Sequence, residues 1–173
     1  MARTQSQVAS GKTRVRQFRP DDADEASVVM TEAFRSFLPP RTGKKVLKGF
    51  SPERLRGTSV YGKKGATSAT YVAELDGKVV GYVSGANNTY GVGTLSVIGV
   101  SPGCFHKGVG SLLMRKMVAF WRKGKMRKVS TCVSAHNSRA IVFYLSHDFR
   151  PVGYQRDHFL PGMDEVLLDR FLK

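Results

Sequence analysis

Two stretches of this chain place residues at spacings that can do chemistry. Residues 100–113 read Val-Ser-Pro-Gly-Cys-Phe-His-Lys-Gly-Val-Gly-Ser-Leu-Leu. An apolar β-type run from Leu95 to Val100 leads in, and Pro102 stops it because proline cannot continue a strand ladder. A helical pattern then begins at about Gly108. The first N–H groups of a helix have no partner inside it and sit at the positive end of its dipole. Gly108 and Gly110 remove the side chains that would keep an anion from those N–H groups, and Lys107 adds positive charge. Strand, glycine turn and helix together suit a phosphate. The second stretch runs from Asn137 to Tyr144 on the next helical pattern. Seven residues are two helical turns, so the two side chains share a face about 10 Å apart. An Asn at a helix start can bond an amide of an extended ligand, and a phenol can donate a proton to a reacting group. A tyrosine there equally suits a half-buried core.

The order of these motifs resembles the GNAT superfamily of acyl-CoA N-acyltransferases. The family's donor signature, Arg/Gln-x-x-Gly-x-Gly/Ala after a strand ending in Val-x-Pro, is matched by Val100, Pro102, Lys107, Gly108 and Gly110. Phe105 stands where the family usually has Arg or Gln. The family's Asn-x-x-Ala-x-x-x-Tyr helix is matched by Asn137, Ala140 and Tyr144, and the Phe of its closing Gly-Phe by Phe149, with Asp148 where the family often has Gly. The resemblance implies an N-acetyltransferase that uses acetyl-CoA as donor substrate, by direct transfer and without a metal. It assigns the diphosphate to the backbone of Phe105, His106, Lys107, Gly108, Val109, Gly110 and Ser111. It assigns the pantetheine arm to the strand end Ile98, Gly99 and Val100 and to Asn137 and Ala140, with Tyr144 as the acid. A main-chain N–H near Ile98 or Gly99 would hold the thioester oxygen.

Many family members carry a Glu on the strand before the turn. Here that strand, Thr94 to Val100, has neither an acid nor a histidine. A lysine-like amine with pKa ~10.4 costs roughly 4–5 kcal/mol to deprotonate at pH 7, and an α-amine with pKa ~8 only about 1–1.5. The departure therefore points to an acceptor amine of low pKa, on a small molecule or a peptide and one that could also carry negative charge, with its proton lost through water. Glu74, on a neighbouring strand, is the acid nominated to relay it, and a solvent-facing role is its alternative. His106 and His136 are further nominees.

The elements that must position these groups can be read from pattern. A strand is expected over Thr13–Phe18 and a helix from Asp21 to Phe37, opened by Asp21-Asp22 and ended by Pro39-Pro40. Pro52 opens a short helix that Gly57 closes. Asp76-Gly77 joins two β-type runs into a hairpin. The helix after the turn places Val109, Leu112, Leu113, Met117, Phe120 and Trp121 on one face. The next helix shows Ala140, Ile141, Tyr144 and Leu145 inward, and a hairpin around Pro161-Gly162 ends the chain. The expected fold is α/β (α+β): one domain over 13–173 after a basic tail at 1–12. Its mixed, mostly antiparallel sheet has six to seven strands, helices on both faces and a central βαβ unit.

At 173 residues and 41% hydrophobic content the chain suits one globular domain. No apolar run approaches the ~20 residues of a membrane span. No secretory signal is read, and two cysteines without metal spacing suit a reduced, cytoplasmic protein. The net charge is +15, and no Asp or Glu falls between Asp76 and Asp148. Such a field draws anions. CoA accounts for part of it. Nucleic acid is the other reading, a GNAT-fold binding protein with little catalysis, although the interleaved aromatics of a base-stacking platform are missing. The basic segment 38–68 reads as a solvated surface loop, or as a substrate-side lid or a nucleic-acid contact. Monomer and homodimer both stay open.

Overall fold

A computed structural model describes residues 12–39, 43–57, 67–88 and 90–173. Nearly all of the expected N-terminal tail lies outside these residues. Seven strands form one sheet in the order β1-β2-β3-β4-β5-β7-β6. They are β1 (Arg14–Gln17), β2 (Thr67–Leu75), β3 (Lys78–Asn87), β4 (Val92–Val100), β5 (Lys128–Ser134), β6 (Arg150–Gln155) and β7 (Glu165–Phe171). Every adjacent pair is antiparallel except β4 with β5. The expected mixed sheet with a central βαβ unit is therefore present. The hairpin between β2 and β3 turns on Asp76 (φ 51°) and Gly77 (φ 79°), the left-handed pair that an Asp-Gly loop supplies.

The helices are α1 (Ala23–Arg35), α2 (Gly43–Leu47), α3 (Pro52–Gly57), α4 (Val109–Lys123) and α5 (Ser138–Ser146). Alternation along the strands divides the core in two. Val72 and Tyr82 pack with Ala26, Met30 and Leu55 beneath α1 and α3. Ala73 and Val83 pack with Leu113, Met117 and Trp121 beneath α4. The buried face of α4 is turned slightly from the expected one. Met114 and Val118 are buried, while Leu112 and Phe120 are only partly so. On α5 only Tyr144 is buried, and Leu145 is 39% exposed. A nine-residue helix lying over a cleft needs one deep anchor rather than a full apolar stripe.

The feature that makes the site is where the sheet comes apart. β4 and β5 pair over three residues only, Val92–Thr94 against Lys128–Ser130. The Thr131 hydroxyl then donates to the Leu95 carbonyl at 3.0 Å, the last tie across the seam. Beyond it the strands diverge. On its other edge β4 stays paired to β3, with Ser96 as an extra residue between Leu95↔Gly85 and Val97↔Ser84. Such a bulge bends a strand and raises its twist. Gly99 lets α1 press close to this part of β4, since a Cβ there would lie 2.5 Å from the Met30 sulfur.

Candidate active site

The divergence opens a cleft of about 1150 Å³, lined by Ser96–Val100 on one side and Cys132–Ser134 on the other. Among the described residues no strand pairs with the β5-facing edge of Ser96–Val100. A free edge of that length can take an extended polar ligand as though it were another strand. Ile98, Gly99 and Val100 all line it, as the sequence implies.

At one end stands the phosphate-type turn. The first backbone bond of α4 runs from the Leu112 N–H to the Gly108 carbonyl at 3.0 Å. Among the described residues, no backbone carbonyl takes the N–H groups of residues 106–111. Gly108 holds φ 78°, which a side chain would strain. Gly110 is required for a second reason: a Cβ there would meet the Phe143 ring at 3.0 Å. The glycines thus free the N–H row and seat α5 directly on the turn. His147 fixes that seat from the far end of α5. Its Nδ1 lies 2.8 Å from the Phe143 carbonyl, which only accepts, so Nδ1 carries the hydrogen and Nε2 accepts from the Ser111 hydroxyl at 3.1 Å.

The remaining sequence nominees divide. Phe105, His106, Gly108, Val109, Gly110 and Ser111 line the cleft, with Asn137, Ala140 and Tyr144 across from them. Lys107 does not; it is exposed and points its charge elsewhere. Asn137 spends its side-chain oxygen on the Ala140 N–H at 3.1 Å, the N-cap of α5, which leaves its amide nitrogen for a ligand. Glu74 is not in the cleft. It lies on β2 beside the sheet edge, bound by Arg16 at 2.7 Å and by Arg14 at 3.4 Å. Arg16 holds its carboxyl below the usual range. Glu74 is thus part of an ion cluster with Arg16 and Asp22, two strands from β4. His136 is exposed and outside the cleft lining.

Two groups that line the cleft were not among the sequence nominees. The first is Arg139, whose guanidinium lies 4.4 Å above the Phe105 ring while lining the cleft. It brings back, from α5, the positive charge that Phe105 removes from the turn. An aromatic where a cation was expected was the available signal. The second is Glu165 on β7. It lines the cleft, is only 4% exposed, and among the described residues has no cation within ion-pair reach. Burial pushes its carboxyl up to about 7. Tyr144 is 5% exposed, and burial drives its phenol well above its ordinary value. A contact with the Thr131 hydroxyl pulls the other way, and the Cys132 and Glu165 charges add to the rise. The cleft therefore holds one acid fixed in its protonated form and one carboxyl poised near neutrality. Pairs of titratable groups driven apart in this way mark acid and base roles.

A helix start with a free N–H row, an open strand edge and two buried titratable groups share one cleft, an arrangement that suits an acyltransferase using a CoA-linked donor. The chain belongs to the GNAT family: the family model described as Acetyltransferase (GNAT) family matches residues 30–149. It is 32% identical over 111 residues to the N-acetylaspartate synthetase of Xenopus tropicalis, covering 64% of this chain but 41% of that protein. It is 25% identical over 155 residues to an uncharacterized N-acetyltransferase of Methanocaldococcus jannaschii, covering 89% of this chain and 88% of that one. The PaiA N-acetyltransferase of Thermoplasma acidophilum, solved in complex with coenzyme A, superposes with TM-score 0.73 at 14% identity over 92% of this chain and 99% of that one. That likeness shows the shared fold. Among the described residues no helix is long and apolar enough to cross a membrane.

Proposed function

We propose that the protein transfers the acetyl group of acetyl-CoA to a primary amine, with Glu165 as general base and Tyr144 as general acid. The observation that carries this is the pair itself: two buried groups of opposite protonation on the cleft that starts at the phosphate-type turn. The N–H groups of residues 106–111 suit the diphosphate, with Arg139 above Phe105 supplying charge. The edge Ile98–Val100 suits the pantetheine amides, and an N–H of that edge would hold the thioester oxygen. The donor supplies an acyl group on a thiol that leaves readily. The acceptor nitrogen forms the C–N bond as the C–S bond breaks. Its proton passes to the Glu165 carboxylate, and Tyr144 gives its proton to the departing sulfur.

The protonation states suit this division. A carboxyl near 7 is substantially ionised at neutral pH and, as a base, meets an α-type ammonium of pKa ~8 with only about 1.4 kcal/mol to overcome. The phenol stays protonated throughout the same range. The test is free-thiol release from acetyl-CoA with an amine acceptor, followed across pH. kcat/KM should rise through about 7 in the wild type. In Glu165→Gln that limb should be gone; a profile that survives the substitution unchanged removes Glu165 from this role.

A further inference from the structure

Past the point where Glu165 and Tyr144 face the cleft, its wall changes character. The end of α1 supplies Phe34, the turn after it Phe37, and the segment after α2 supplies Phe50. Phe34 meets Phe37 with ring centroids 5.2 Å apart and Phe50 at 4.8 Å. Facing them from the β6–β7 connection are Phe159, Leu160 and Met163, with Phe159 61% exposed although it lines the cleft. Met163 is two residues from Glu165, so this apolar wall begins beside the base. Among the described lining residues Glu165 is the sole carboxylate, and Lys45 is the one cation at this end.

We infer that the acceptor is a primary monoamine on an aromatic or bulky aliphatic body with no other positive charge. The inference rests on the amine-acetylation reading and narrows it. Phe159 is exposed and Phe34, Phe37 and Phe50 are half-buried, so an apolar ligand that covers them removes apolar surface from water. A polyamine brings at least one further ammonium, finds no second carboxylate to receive it, and meets Lys45 instead. A dicarboxylate amine such as aspartate must desolvate two anions against phenyl rings beside the Glu165 carboxylate, with Lys45 alone to answer them. An apolar amine has neither cost. Its amine also enters more readily in the neutral, nucleophilic form, because the wall disfavours the ammonium.

The experiment uses the full chain with acetyl-CoA and three acceptors, phenethylamine, spermidine and aspartate, read by thiol release. Phenethylamine should exceed both others in kcat/KM by at least about tenfold. Phe159→Ala, on an exposed loop side chain that the fold does not need, should raise the phenethylamine KM severalfold and leave the acetyl-CoA KM unchanged. Equal or faster turnover of spermidine or aspartate overturns the inference while amine acetylation stands. So does an unchanged phenethylamine KM in Phe159→Ala. Calorimetry on CoA-loaded protein separates the two readings. Phenethylamine that binds, and binds more weakly in Phe159→Ala, without thiol release from any amine overturns the catalytic reading and supports the apolar site. Neither binding nor release overturns both.

Discussion

Glu74 and Glu165 are the same side chain on strands of the same sheet, and the fold treats them in opposite ways. Glu74 sits near the β1 edge, where Arg14 and Arg16 satisfy it and hold it ionised. Glu165 sits where β4 and β5 have parted, deeply buried and unpaired, and drifts toward neutrality. One half of the sheet uses its carboxylate to hold strands together. The other leaves its carboxylate without an ion-pair partner among the described residues, and the burial that raises it is what suits it to the proposed role of base.

The sharpest way to test this contrast is to neutralise each in turn. Glu165→Gln should lower kcat by about 10²–10⁴, the usual worth of a positioned base, whereas Glu74→Gln should leave kcat within about twofold of wild type. Steady-state thiol release reads both. The next effect is on stability. Arg16→Ala takes from Asp22 its ion-pair partner at 2.7 Å and leaves Glu74 with Arg14 alone, and the loss at Asp22 should cost about 1–3 kcal/mol in denaturant unfolding at pH 7.

Glu165→Gln should move stability the other way. A carboxyl raised to about 7 by folding binds more protons in the native state than in the unfolded one, whose value is near 4.5. Its contribution is therefore complete below about 4.5 and is lost as pH climbs through 7. At pH 8 the wild type buries an uncompensated charge that the amide lacks, so the variant should be more stable by ~1–3 kcal/mol, with the gain vanishing at pH 4. A variant equally stable at both pH values would show that Glu165 is ordinarily solvated. The smallest effect expected is that of Arg139→Ala, a several-fold rise in the acetyl-CoA KM or about 1 kcal/mol, with Lys107→Ala near neutral.

What could be read in advance follows from the range of the forces involved. The Asp76-Gly77 hairpin, the turn at 105–111 and the Asn137–Tyr144 helix are local: glycine angles, caps and two-turn spacing sit within a dozen residues. The family resemblance rested on these. Glu165 depends on β7 lying between β5 and β6, on the seam ending at Thr131, and on no arginine reaching it, none of which is encoded near residue 165. Glu74 looked eligible because its partners, Arg14 and Arg16, stand about sixty positions away in the chain. Phase errors on α4 and α5 have a similar origin. Leu112 and Met114 are equally apolar, and only the tilt of the helix over the sheet decides which is covered.

The bare backbone at Gly110 has a further consequence for anyone hoping to rebuild this molecule in modules. Phe143 rests on that glycine, and Phe143 is the immediate chain neighbour of Tyr144. Replacing the loop with one from a relative would press on that ring and so on the backbone that carries Tyr144. The turn and the tyrosine thus share a common hinge-pin, and are best exchanged as a pair.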